Sequence, residues 1–281
     1  FNACPGTPLA ELVGWNDHVL NIDNKSLTNR PDLWGHYGIA RELSAIYKLP
    51  LAALPDFDLS RVPEAELLAQ HFEPGTNRFT ATRIEGVNVS RAPFWMRSRL
   101  ARVEQRSINL LVDLTNYAML TTGQPCHVYN LDKLALPLGV RRLAEGELCA
   151  TLDGSVVEGD GRTLAVVDCN GPVALAGMIG GTDPAVLDTT TSTLLEVASF
   201  DSVEIRRTSM RLGIRTDASR RFEKSIDTKR VDQARAVFLH LLQQIAPNAR
   251  LTGQQQYYPN PTPACTIAAS VAFLHERLGK A

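Results

Sequence analysis

Glu196 stands in the run Leu194-Leu195-Glu196-Val197-Ala198, a carboxylate inside an otherwise apolar, strand-like stretch. A buried, unpartnered carboxylate is strongly disfavoured, so Glu196 calls for a ligand hydroxyl, a nearby Arg, or a place on the exposed face of an edge strand. His127 follows Gln124-Pro125 at the exit of an expected helix and loop, from where a side chain can project into a cleft. A single His serves equally as a satisfied structural group, and no Ser or Cys spacing accompanies it to suggest a triad. Thr115 and Asn116 fall inside an expected helix. Short polar side chains form helices poorly and bond to nearby backbone, so these two can cap, back-bond or hold a small ligand. Gly177, Gly180 and Gly181 in "LAGMIGG" suit a tight loop that lets a ligand approach the backbone. The Gly-Lys-Ser/Thr ending of a phosphate loop is missing.

Charge narrows the classes further. From Arg206 to Arg230 nine basic residues stand against three acidic ones, a local excess of six in a chain whose formal net charge is -1. Such a segment is either a solvated helix face laced with salt bridges or a surface for a nucleic-acid backbone. The near-zero total argues against a chain that is basic over its whole surface. Five cysteines form no CxxC pair, and no clustered His/Asp/Glu set accompanies His127 and Glu196, so no metal site is expected. The odd cysteine count fits a reducing cytoplasm better than a disulfide framework. No apolar run approaches the length of a membrane helix, and the start lacks a signal-peptide layout.

These residues must be held by elements whose spacing is readable. His18 to Asn24 alternates as a strand and leads through a polar turn to Pro31, after which Leu33, Tyr37, Ala40, Leu43, Ile46 and Tyr47 recur at helical steps until Pro50. Residues 1–50 are thus expected as a partial helical and strand domain, and the Pro-, Asp- and Glu-rich stretch 51–78 as a linker. A strand is predicted over Phe79 to Val89, a helix over Pro93 to Glu104 with Phe94, Leu100 and Val103 inward, and a second helix from about Ile108 to Thr122, ended by Gly123. Asp153-Gly154, Gly159-Asp160-Gly161 and Asn170-Gly171 separate short strands at Val140 to Leu143, Leu164 to Cys169, Val173 to Ala176 and Thr193 to Ala198. Helices follow near Asp201 to Leu212, Asp217 to Lys224 and Lys229 to Ile245, then a strand near Leu251 to Tyr257. Residues 79–258 form an α+β body with short strands packed by helices, and 259–281 a second linker with the start of another domain. Since the chain opens on Phe1 and its ends fall mid-element, a larger parent polypeptide is expected.

Four segments are too particular to be core filler: "TNRPDLWGHYGIARELSAIY", "QRSINLLVDLTNYAMLTTGQPCHVYNLDKL", "LAGMIGG" and "LLEVASFDSVEIRRTSMRLGIRTDASRRFEKSID". Together and in this order they resemble the β subunits of bacterial phenylalanyl-tRNA synthetases. The resemblance implies a mixed α/β editing module that hydrolyses Tyr attached in error to tRNA(Phe). It also implies an α2β2 assembly whose α subunit charges the tRNA using ATP and Mg²⁺, with no cofactor in this piece. Carried over position by position, it implies Thr115, Asn116 and His127 as catalytic, and Arg106, Gly177, Glu196, Thr216 and Ala218 as substrate-binding. Departures from the family pattern, Cys126 ahead of the histidine and "NKSLTNRPDLWGH", lie outside those positions.

Overall fold

A computed structural model describes residues 4–15 and 17–279. In chain order the elements are α1 (Leu9–Leu12), α2 (His36–Tyr47), β1 (Thr76–Glu85), α3 (Phe94–Arg102), α4 (Leu110–Thr122), β2 (Cys126–Asn130), β3 (Gly139–Arg142), β4 (Leu148–Ala150), β5 (Val156–Glu158), β6 (Leu164–Val167), β7 (Pro172–Leu175), β8 (Ile179–Gly180), β9 (Ser192–Phe200), α5 (Ser202–Leu212), α6 (Asp217–Phe222), α7 (Arg230–Ile245), β10 (Arg250–Tyr257) and α8 (Val271–Leu278). The fold is α+β, as the sequence predicts.

Two antiparallel sheets make the body. The first has the order β10-β1-β9-β2, the second β3-β6-β7-β8, and β4 and β5 form a separate hairpin. Strand β9 is buried along almost its whole length, because the first sheet is covered on both faces. Leu194, Ala198 and Phe200 of β9 join Phe79, Ala81, Val166 and Leu175 in a core between the two sheets. Leu195 and Val197 turn the other way and pack with Leu114 of α4, Met96 and Leu100 of α3 and Phe238 of α7. The layers are therefore helices, first sheet, second sheet, each pair closed by apolar side chains.

Local chemistry fixes the ends. Asn109 caps α4 by accepting from Val112 N at 3.1 Å, and Gly123 closes it in the left-handed region at φ 79°. Asp201 caps α5 through Val203 N and Glu204 N. In α3 the inward residues are Met96 and Leu100, while Phe94 remains 39 % exposed, so the expected inward face is rotated. Residues 51–78 do more than connect. Val62, Leu67, Leu68 and Phe72 are buried, and the Leu67 and Leu68 amides donate to the Gln255 side chain at 2.6 and 2.7 Å. The stretch His18 to Asn24, expected as a strand, forms none and pairs with no strand among the described residues, although Asn24 at its end is extended.

The N-terminal piece is fastened to the body through "TNRPDLWGH". Asp32 takes a fork from Arg30 at 2.7 and 2.9 Å and a bond from Arg41 at 2.6 Å, and the Arg30 bond holds its carboxyl below the usual carboxylate range. Arg221 of α6 donates to the Trp34 carbonyl at 3.1 Å, and Lys224 lies 5.2 Å over the Trp34 ring. Gly35 passes so close to Gly123 that a Cβ would fall 2.3 Å from the Gly123 nitrogen. No helix among the described residues is long and apolar enough to cross a membrane.

Candidate active site

The cross-strand register assembles the site. His127 of β2 lies directly opposite Glu196 of β9, and Tyr129, two residues on, projects from the same face of β2. That face looks toward the second sheet. Gln124 sets the entry of β2 by donating its amide to Ala198 O at 2.8 Å and Pro125 O at 3.0 Å. The resulting cleft, of about 100 Å³, is walled by His127, Tyr129 and Glu196, by Gly177 of the turn before β8 and Gly180 of β8 itself, and by Ala218 of α6.

Glu196 is buried, and its Oε2 accepts a short hydrogen bond from the Tyr129 hydroxyl. The other oxygen has no hydrogen bond to the described residues, and no cation pairs with the group. Burial pushes its carboxyl up to about 7, opposed by the Tyr129 bond. His127 packs its ring edge-on to Tyr129, with centroids 4.5 Å apart. The ring retains some access to the cleft mouth, yet its surroundings are dry enough that burial pulls its titration down to about 4. Burial also drives the Cys126 thiol far above its ordinary value, which removes it as a nucleophile at neutral pH.

The glycines have specific work. A Cβ at Gly180 would lie 2.5 Å from His127 Cε1, so the imidazole occupies the space a side chain would need. Gly177 adopts φ 67° and would meet Ile205 and Phe200 at 2.9 and 3.0 Å. Thr216 caps α6 in a reciprocal box with Ser219 and also donates to Met178 O at 2.7 Å, tying the helix that carries Ala218 to the turn after Gly177.

Four of the eight residues singled out from the sequence, His127, Gly177, Glu196 and Ala218, line one cleft, and Thr216 stands just behind it. The other three lie outside its wall. Thr115 is buried in α4 with its hydroxyl donated to Val112 O at 2.7 Å, while Asn116 is half-buried with no side-chain bond among the described residues. Arg106 is exposed, with no ion pair among the described residues, in a loop pinned by Asp113, which accepts from Ser107 Oγ at 2.5 Å and Ile108 N at 2.8 Å. Gln105 ties the same loop to Asp217 of α6 at 3.1 Å. Tyr129 was not among the residues drawn from the sequence. Its signal is the period of two from His127, which Pro125 obscures by making the segment resemble a loop.

The basic segment divides. Arg211 pairs with Asp160, Arg215 and Lys224 with Glu223, and Arg221 with Asp217. Arg206, Arg207, Arg220 and Lys229 are exposed without ion pairs among the described residues. A larger cavity of about 960 Å³ lies elsewhere, between the N-terminal piece and the helices α3 and α4, and contains none of the eight residues. Among the described residues no group of three or more His, Cys, Asp or Glu could hold a metal ion.

A family model described as the B3/4 domain matches residues 75–247. Curated relatives named phenylalanine–tRNA ligase β subunit include the protein of Solibacter usitatus, 38 % identical over 272 residues that cover 94 % of this chain and 35 % of that protein. The Aquifex aeolicus relative is 36 % identical over 238 residues, covering 85 % of this chain and 30 % of its own length. The Leptospira biflexa relative is 33 % identical over 278 residues, covering 98 % and 35 %. The chain thus spans about a third of the length of these relatives. A solved N-terminal fragment of the phenylalanyl-tRNA synthetase β-subunit from Pyrococcus horikoshii matches at a TM-score of 0.38 and 16 % identity, over 68 % of this chain and 59 % of that one.

Proposed function

The chain belongs to the B3/4 domain family and is similar to phenylalanine–tRNA ligase β subunits, and from that premise we propose that it is an editing module that hydrolyses the ester between tyrosine and tRNA(Phe). The observation that carries this reading is Glu196, a buried carboxylate with no cation partner and one oxygen unbonded among the described residues, in a cleft shared with His127. Such a group suits a ligand hydroxyl, and the hydroxyl is what separates tyrosine from phenylalanine.

Specificity physics gives the need. A hydrophobic pocket made for phenylalanine rejects an analogue that merely adds a hydroxyl by only about a hundredfold. A second site that hydrogen-bonds the phenol leaves its own polar group unpaired when phenylalanine enters, at about 1–3 kcal/mol.

In this reading a water oxygen attacks the carbonyl carbon of the aminoacyl ester, the bond to the ribose oxygen breaks, and tyrosine and free tRNA leave. The ester is already activated, so orientation and polarisation suffice. With its titration near 4, His127 is neutral at physiological pH and too weak a base to be the main proton acceptor, which favours a water-positioning role. Gly177, Thr216 and Ala218 are assigned to shaping the pocket, whereas Thr115 and Asn116, expected to hold water and the ester, and Arg106, expected at the terminal nucleotide, stand outside the cleft wall and serve only a ligand that extends beyond it. The same reading places the chain in a cytoplasmic α2β2 ligase whose α subunit charges tRNA(Phe) with ATP and Mg²⁺.

The test is deacylation of Tyr-charged tRNA(Phe) by the purified chain, expected to exceed the spontaneous rate. Binding without turnover would favour the rival, an inert tRNA-binding or assembly module, for which the unpaired Arg206, Arg207 and Arg220 supply a surface.

A further inference from the structure

The Tyr129–Glu196 pair carries a property that neither residue has alone. Tyr129 is fully buried, and its hydroxyl is the only group among the described residues that hydrogen-bonds the Glu196 carboxylate. It fills Oε2 and leaves the other oxygen to the cleft. We infer that Tyr129 is the specificity-determining positioning residue of this site: its hydroxyl keeps the Glu196 carboxylate charged and aimed, so that a para-hydroxyl is accepted and a bare ring is refused. This inference rests on the editing reading above.

Discrimination turns on which form of Glu196 a ligand meets. A charged carboxylate that loses its water to an unsubstituted ring edge is left buried and unpaired, which is heavily penalised, whereas a phenol donates to it. A protonated carboxyl tolerates the bare ring far better and can both donate and accept, so it discriminates weakly. Selectivity therefore follows the charge on Glu196. Desolvation opposes that charge and the Tyr129 hydrogen bond supports it, leaving Glu196 close to about 7. Without the bond the proton would be held more tightly.

The neighbouring groups do not supply a competing charge. From β2, His127 is held neutral by burial down to about 4 and the Cys126 thiol is held protonated. Cys149 of β4, beside Tyr129, is pushed up to about 11 by burial, and the Tyr129 phenol is itself raised well above its ordinary value. On β1 the strand partner of Glu196 is Ala81, the second sheet adds the apolar Val166, Ala174 and Leu175, and α6 adds Ala218 and Phe222. Glu196 is thus the group in the cleft that changes charge near neutrality.

The experiment compares wild type, Tyr129→Phe and Glu196→Gln. For each, deacylation of Tyr-charged and of Phe-charged tRNA(Phe) is followed from about pH 5.5 to 9, with a melting curve alongside. The wild-type ratio of the two rates is expected to rise as pH passes about 7. Tyr129→Phe, which removes a single oxygen, should lower that ratio about ten-fold or more at neutral pH and move its midpoint upward, with recovery at high pH. Glu196→Gln should give a low ratio with no midpoint. An unchanged ratio and midpoint in Tyr129→Phe, or equal proportional losses on both substrates, would overturn the inference. If wild type hydrolyses neither substrate, the editing reading itself fails. The charge claim is then read directly from the carbon-13 shift of the Glu196 carboxyl, where an unmoved titration midpoint in Tyr129→Phe overturns it.

Discussion

Glu196 and His127 face each other across neighbouring strands, and burial pushes each toward its neutral form: Glu196 from 4.5 up to about 7, His127 from 6.5 down to about 4. Their consequences for stability have opposite signs. Because the folded state holds the Glu196 proton more tightly, Glu196 adds stability that is complete below 4.5 and is lost as pH rises through about 7. Because the folded state resists protonating His127, that residue adds stability that is complete above 6.5 and is lost as pH falls through about 4. Each span corresponds to about 3 kcal/mol, so the two slopes largely cancel in weak acid. Glu196→Gln should therefore gain on wild type by about 3 kcal/mol between pH 4.5 and 8, and His127→Asn should gain on it as pH falls from 6.5 to 4. Urea unfolding at a series of pH values checks this, and curves that run parallel to wild type would show that neither group is held neutral by the fold.

Among the elements, those with a strong period were visible in the sequence and those that meet their partners only through the fold were not. Helices α4, α5 and α7 begin within two residues of the prediction; α4 starts at Leu110 rather than Ile108 because Asn109 takes the cap. Strand β9 was visible as an apolar run with one carboxylate in it. Strand β2 was missed, since a Pro immediately ahead and a His at its second position resemble loop chemistry, and only pairing with β9 makes it a strand. The three-residue strands β4 and β5 are too short to carry a period. Glu196 and His127 were thus named as candidates, while their opposition and the Tyr129 link were invisible. Strand β8 gives a sharper test of how elements position the site. Gly180→Ala would place a methyl group within 3 Å of the His127 ring, so the imidazole must leave its position. Deacylation of Tyr-charged tRNA should fall about ten-fold or more, while the melting temperature changes little, since a ring at the cleft mouth can rotate outward. Full activity in this variant would show that the observed ring position is not the working one.

In the molecule as a whole, a three-layer body carries the cleft between its two sheets, and an N-terminal piece is fastened to the outside. That attachment is backbone against backbone at Gly35 and Gly123, reinforced by Arg221 to Trp34 O and by His36 Nδ1 at 2.9 Å from Leu120 O. Gly35→Ala cannot be accommodated by a side-chain shift, because the nearest atoms are main chain. The piece should lift from the body, so limited proteolysis is expected to cut within 17–50 at least ten-fold faster with the core protected as before; unchanged protection would mean that the remaining contacts suffice. Strand β9 has a different kind of consequence. It is one of the two inner strands of its sheet, with apolar neighbours on both faces, so few of its positions can vary without disturbing one core or the other. The partners that surround Glu196 come instead from the periphery: an edge strand, a glycine turn and a six-residue helix. Divergence within such a scaffold has an anchored acid and replaceable surroundings, so a new preference for the ligand's far end is most readily acquired through the rim, leaving the central strand as the inherited part.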